Sequence, residues 1–87
     1  MVVYGAADFG KAIRKRRKEL NYTQAYISSV TTLSVSFISD LERGKKTVEL
    51  EKAICLANML GMDCALTARG RRYEKAFSKH RDKRQSG

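Results

Sequence analysis

The feature that most constrains this chain is the close spacing of its helix punctuation. Asp8, Thr23 and Ser34 carry side-chain oxygens suited to capping a helix N-terminus, and Asn21 tolerates the left-handed backbone that ends one. Gly44 and Gly61 supply the same stop without a Cβ penalty, and Thr31-Thr32-Leu33 interrupts the stretch between Thr23 and Ser34. A chain cut this often can form only short helices, and short helices are stable only when packed on one another.

The apolar pattern agrees. Asp8 predicts a first helix from Phe9, with Phe9, Ala12, Ile13 and Leu20 as its stripe and basic residues filling most other positions. Thr23 predicts a second, whose inner face is Ala25, Tyr26 or Ile27, and Val30. Ser34 predicts a third, with Ile38 and Leu41 inward and Phe37 beside Leu41. A fourth begins at Thr47 or Glu49 and buries Leu50, Ala53, Ile54, Ala57 and Leu60. Short loops between these helices make a compact all-α bundle. After Gly61 the period shortens: Met62, Cys64 and Leu66 alternate with Asp63, Ala65 and Thr67, which reads as a short strand. A lone strand must be paired. Val2-Val3-Tyr4 is one candidate partner, and the same strand of a second copy across a two-fold axis is the more economical one. Cys55, Met59 and Met62 stand at core spacing and need no cofactor.

The chain has 87 residues, enough for one small domain whose modest core favours self-association or a partner. Its net charge of +9 is concentrated at two places. Lys11, Arg14, Lys15, Arg16, Arg17 and Lys18 face only Glu19, and the segment 69–84 sets Arg69, Arg71, Arg72 and further Lys and Arg against only Glu74 and Asp82. Such clusters suit a polyanion, though a solvated helix face and a soluble tail account for them equally on composition alone. Cys55 and Cys64 match no zinc spacing and cannot staple the chain, so a reducing cytosol is the expected setting. The charge-free run 20–39 has the length of a membrane span, but half of it is Asn, Thr, Gln or Ser. The segment Met1-Val2-Val3-Tyr4 lacks the basic and apolar regions of a signal peptide. His80, the only histidine, falls in the basic tail, and no nucleophile–base pair, carboxylate pair or glycine-rich phosphate loop is present, so no enzyme and no cofactor or metal is expected.

The second and third helices, separated by a short turn, have helix-turn-helix spacing. Thr23-Gln24 at the start of one, Ser34 at the start of the other, Ile38 and Leu41 inside, and Glu42-Arg43-Gly44 at the close resemble the lambda-repressor-like (XRE-type) DNA-binding domain. The run Phe37-Ile38-Ser39-Asp40-Leu41-Glu42-Arg43-Gly44-Lys45-Lys46-Thr47-Val48-Glu49-Leu50, with Ala57-Asn58-Met59-Leu60-Gly61-Met62, is similar to the HipB-like antitoxin branch. Three positions depart from the pattern: Thr32 stands where the turn usually has Gly, Tyr26 where many relatives carry a capping-box Glu, and Val48 where Pro is common. Thr32 implies a strained or reshaped turn.

The expectation is therefore an N-terminal arm (1–7), a compact four- to five-helix lambda-repressor-like domain (8–61), a dimerisation strand (62–68, with Met62, Cys64 and Leu66 as its contacts) and a basic tail (69–87). The resemblance implies a cytoplasmic homodimeric repressor that binds a palindromic operator, regulates its own operon and neutralises a HipA-like serine/threonine kinase toxin. The alternative is a stand-alone phage or mobile-element repressor with no toxin partner.

For the DNA face, the resemblance gives Gln24 a phosphate or a base-reading neighbour, against the alternative of an exposed helix-opening Gln. Ser34, Val35, Ser36, Ser39 and Asp40 occupy the outward side of the third helix. Val35 can pack on a thymine methyl, the serines can bond a base edge or phosphate, and Asp40 can accept from cytosine N4 or pair with a nearby cation. This is a sparse reading set, so Arg43, half-site spacing and DNA shape are expected to carry more of the specificity. Lys45 and Lys46 lie where long cations reach the backbone. Glu42 bonds within the fold, with Arg14 or Arg17 as its partner. In the tail, Tyr73 and Phe77 fit one helical face for a protein partner, and the same basic segment fits a DNA-wrapping arm.

Overall fold

The computed structural model describes residues 2–68, which form four helices: α1 (Ala6–Glu19), α2 (Gln24–Val30), α3 (Val35–Glu42) and α4 (Leu50–Met59). None is long and apolar enough to cross a membrane. The basic tail, with Tyr73, Phe77 and His80, lies outside the described residues.

One stop chemistry is used three times. Asn21 (φ 59), Gly44 (φ 84) and Gly61 (φ 79) are left-handed, and each donates its N–H back to the carbonyl three residues earlier, of Lys18, Leu41 and Asn58. The residue after each donates to the carbonyl five back: Tyr22 to Arg17, Lys45 to Asp40 and Met62 to Ala57. These are Schellman closures, which occupy carbonyls that the helix itself leaves open. The starts are equally local. The Thr23 hydroxyl accepts from the Tyr26 N–H at 2.9 Å, and the Ser34 hydroxyl from the Phe37 N–H at 3.0 Å.

Several expectations need correction. Helix α1 begins at Ala6 with Gly5 as its N-cap, so Asp8 is inside the first turn, where its carboxylate accepts from the Tyr4 N–H at 3.2 Å and suits the positive end of the helix. In α2 only Ile27 is buried; Ala25, Tyr26 and Val30 are exposed, because a helix this short touches the core with a single residue. In α4 the inner face is Ala53, Leu56, Ala57 and Leu60, while Leu50 points outward and Ile54 is half-buried. Cys55 is on the exposed side of α4 and is not a core residue. Residues 62–68 have no regular secondary structure, and Val2-Val3-Tyr4 forms no strand beside them. A strand needs a partner to be a strand, and this segment finds none within residues 2–68.

The α2–α3 turn needs no left-handed residue at Thr32. Thr31 takes an extended conformation (φ −133, ψ 179), its hydroxyl donates to the Ile27 carbonyl at 2.7 Å, and the same oxygen accepts from the Leu33 N–H at 3.1 Å. A side chain thus closes the turn that glycine would otherwise permit, and Leu33 drops into the core. The core itself is Ile13, Ile27, Leu33, Ile38, Leu41, Ala53, Leu56, Ala57 and Leu60, with Phe9, Leu20, Tyr22, Phe37, Val48, Met59 and Met62 packed around it.

Helix α1 crosses the C-terminal end of α3 at backbone contact. A Cβ on Gly10 would stand 2.3 Å from the Leu41 carbonyl oxygen and 2.8 Å from that of Glu42. At Gly44, which is both left-handed and pressed on α1, a Cβ would stand 3.0 Å from the Ala7 Cα. Two glycines therefore set how closely α1 grips the end of α3, and that grip aims α3's outer face.

Candidate nucleic-acid interface

Behind the outer face of α3 lies an ion pair linking three elements. Arg17 of α1 donates through Nε and Nη2 to the two carboxylate oxygens of Glu42 at 2.6 and 2.9 Å, and through Nη1 to the Tyr22 carbonyl at 2.9 Å. Side-chain exposure is only 11% for Arg17 and 4% for Glu42, so solvent screens this pair little. Glu42 holds the Arg17 guanidinium above its already high ordinary value, chiefly by the hydrogen bond. A carboxylate can only accept, so the Gln24 amide nitrogen faces Glu42, and it donates to Oε1 at 3.2 Å. Gln24 is thereby fixed at the start of α2, half-buried, with its second amide hydrogen free of this bond. Of the two partners the sequence offered for Glu42, the structure selects Arg17.

Arg14 entered the sequence reading as part of the basic cluster and as an alternative partner for Glu42, not as a residue of this face. It is exposed on α1 and lines an open depression together with Arg17, Gln24, Ser39, Glu42 and Arg43. Its i, i+3 spacing from Arg17 was the available signal, since Arg17's partner is on α3.

The residues singled out on α3 are brought to one surface. Ser34, Val35 and Ser36 are exposed around the helix start, and Ser39 and Asp40 are half-buried one turn later. The Ser34 oxygen already accepts the cap bond, which leaves its hydroxyl proton as the group available to a ligand. Asp40 is paired on both oxygens: Oδ1 accepts from Arg43 Nη2 at 2.6 Å and Oδ2 from Lys45 Nζ at 3.5 Å. These bonds, that to Arg43 foremost, hold the Asp40 carboxyl below the usual aspartate value. Of the two readings kept for Asp40, the structure of the free chain selects the cation partner. Arg43 and Lys45 remain largely exposed, and Lys46 extends the cationic edge.

The residues expected from the sequence to carry dimerisation lie elsewhere. Met62 is half-buried against the core, whereas Cys64 and Leu66 are exposed, Leu66 completely. Arg16 marks where this segment leaves the domain, because its Nε donates to the Leu60 carbonyl at 2.9 Å.

Residues 13–66 match the helix-turn-helix family model HTH_3. An uncharacterized HTH-type transcriptional regulator, y4mF, of Sinorhizobium fredii (strain NBRC 101917 / NGR234) is 36% identical over 66 residues, covering 76% of this chain and 87% of the relative. Among solved structures, the HipB–O4 20mer complex has a chain that superposes with a TM-score of 0.72 at 16% identity, over 80% of this chain and 99% of that one. At that identity the likeness establishes the fold.

Proposed function

The chain belongs to the helix-turn-helix family of transcriptional regulators, and from that premise we propose a cytoplasmic, sequence-specific repressor that binds palindromic operator DNA as a homodimer and serves as the antitoxin of a HipBA-like pair. The observation that carries the DNA reading is the outward surface of α3. It gathers short hydroxyl side chains, one exposed Val35 and the cationic edge Arg43, Lys45 and Lys46, and Gln24 is held beside it by the Arg17–Glu42 pair. In a helix-turn-helix the second helix enters the major groove, and the surrounding cations engage phosphates. Val35, Ser36 and Ser39 then face base edges, Arg43 reaches a base or phosphate, and Gln24, Ser34, Lys45 and Lys46 fix the register on the backbone.

The two-fold is proposed to run through residues 62–68. Leu66 is uncovered in the single chain, and pairing this segment with its counterpart covers Leu66 and Met62 and satisfies the backbone of both copies. Two recognition helices then lie about 34 Å apart, one turn of DNA. Support for the toxin partnership comes from the HipB-like run between Phe37 and Leu50 and from the fold shared with HipB.

The experiment is a tagged pull-down from the native host, with bound proteins identified by mass and bound DNA sequenced. A kinase-sized protein in near-stoichiometric amount supports the antitoxin reading. Operator DNA without such a protein favours the stand-alone repressor. Recovery of no specific DNA overturns the repressor itself.

A further inference from the structure

Asp40 is the one acidic group on the outer face of α3, the face proposed above to meet the phosphates and base edges of DNA. Its placement is specific. One carboxylate oxygen takes Arg43 at 2.6 Å and the other takes Lys45 at 3.5 Å, so two of the three cations at the end of α3 are tied to a single anion. The carboxylate is also more covered than either cation: side-chain exposure is 26% for Asp40, 71% for Arg43 and 54% for Lys45. The two cations are thus more exposed than the anion that pairs them.

We propose that Asp40 is a specificity-determining residue that works by repulsion, withholding Arg43 and Lys45 from phosphates unless the DNA offers its carboxylate a replacement donor. This deepens the DNA-binding reading above and rests on it.

Consider first a random duplex. A phosphate approaching Arg43 or Lys45 finds part of each cation's charge already offset by Asp40, through Nη2 of Arg43 and Nζ of Lys45, and it meets the carboxylate's own negative charge. Counterion release, which drives non-specific binding, scales with the number of phosphates neutralised, and two cations are partly spent before contact. In the free chain Arg43 and Lys45 hold the Asp40 carboxyl low, so the approaching DNA meets an anion.

A matching site differs. In the major groove the groups that donate to a carboxylate are the exocyclic amines, cytosine N4 and adenine N6. Where one lies opposite Asp40, the carboxylate exchanges Arg43 for the base, and the freed guanidinium turns to a guanine edge or phosphate. Elsewhere the carboxylate gains nothing in return. The penalty on the wrong sequence thus exceeds that on the right one, which is how a repulsive element creates a difference of affinities.

The test uses the full chain and two duplexes, one of random sequence and one enriched by the wild-type protein from a random pool. Binding is followed by anisotropy across a salt series for wild type, Asp40→Asn and Glu49→Gln. Glu49 supplies the control because it forms an exposed pair with Lys52 on α4, at 3.2 Å, and its change alters net charge equally. Asp40→Asn is expected to strengthen random-sequence binding about fivefold, the effect of removing one charge near a phosphate in water. The salt slope should steepen by about one unit for each cation released. Affinity for the enriched duplex should rise less or fall, so the ratio between the duplexes drops. Unchanged random-sequence affinity and slope overturn the proposal, as does an equal gain from Glu49→Gln. If wild-type protein enriches no sequence, the DNA-binding reading fails, and this inference with it.

Discussion

Replacing Gly10 by Ala separates helix propensity from packing. In the middle of a helix this change should stabilise by about 1 kcal/mol, because Gly is the poorer helix former. The structure predicts the opposite sign. The new Cβ would lie 2.3 Å from the Leu41 carbonyl oxygen and 2.8 Å from that of Glu42, where a carbon–oxygen contact needs about 3.3 Å. Both obstacles are backbone, so no rotamer change relieves them, and α1 must withdraw from α3 by about 1 Å. Overpacking of this kind costs about 3 kcal/mol at the upper end of its usual range, leaving a net loss of about 2 kcal/mol. For a domain of this size that lowers Tm by roughly 10 °C. Withdrawal also lengthens the 2.6 Å bond between Arg17 and Glu42, which adds to the loss. Thermal and urea melts followed by far-ultraviolet circular dichroism give both quantities. A Gly10→Ala protein that melts at or above the wild-type temperature would refute the claim that backbone contact at this residue sets the α1–α3 spacing.

Truncating Glu42 to Ala leaves the Arg17 charge with little solvent and no carboxylate, a change expected to cost about 3 kcal/mol in urea melts; Arg17→Met with Glu42→Leu should cost clearly less, since neither charge is then stranded. Because the Asp40 carboxyl is lowered from 3.8 in the folded chain, its contribution is complete above that value and disappears as pH falls through the folded one. The Tm difference between wild type and Asp40→Asn should therefore be steady near neutrality, close in acid and shrink in high salt, as befits an exposed pair. Arg43→Ala should weaken binding to the enriched duplex by about 1–3 kcal/mol if Arg43 reads a base, whereas an equal loss on random DNA, measured in the same titration, assigns it to phosphate alone.

The sequence announced those features whose chemistry is local. Thr23, Ser34, Asn21 and Gly44 act within a few residues of themselves, and all four perform the roles their side chains suggest. Features set by what a helix packs against were less visible. In α4 the stripe could be drawn through Leu50 and Ile54 or through Leu56, since all are aliphatic, and the position of the other helices selects Leu56. In α2, fewer than two turns gave no stripe long enough to tell Ile27 from Tyr26 and Val30. Gly10 was legible in principle, as an isolated glycine inside a helix commonly marks a close approach. At the candidate interface the outward residues of α3 were readable from periodicity. The pairing of Asp40 with Arg43 and Lys45 was open, because the same acid could equally wait for a base. The start of α1 was misjudged because Asp8 favours a first turn as well as a cap, and Gly5 carries no side chain to advertise itself.

The two neighbouring arginines of α1 also bear on the order in which this molecule assembles. Arg17 meets a partner 25 residues away and Arg16 one 44 residues away, whereas α2 and α3 are adjacent in the chain and joined by a turn closed by Thr31 alone. Local contacts form early and cheaply in conformational entropy, and distant ones wait for the intervening chain to be ordered. Sequence separation alone therefore predicts that the helix-turn-helix pair forms first, with the α1 contacts of Arg17 and then Arg16 following. The first helix to be made is then the last to be secured. Its ion pair would weigh on the rate of unfolding far more than on the rate of folding.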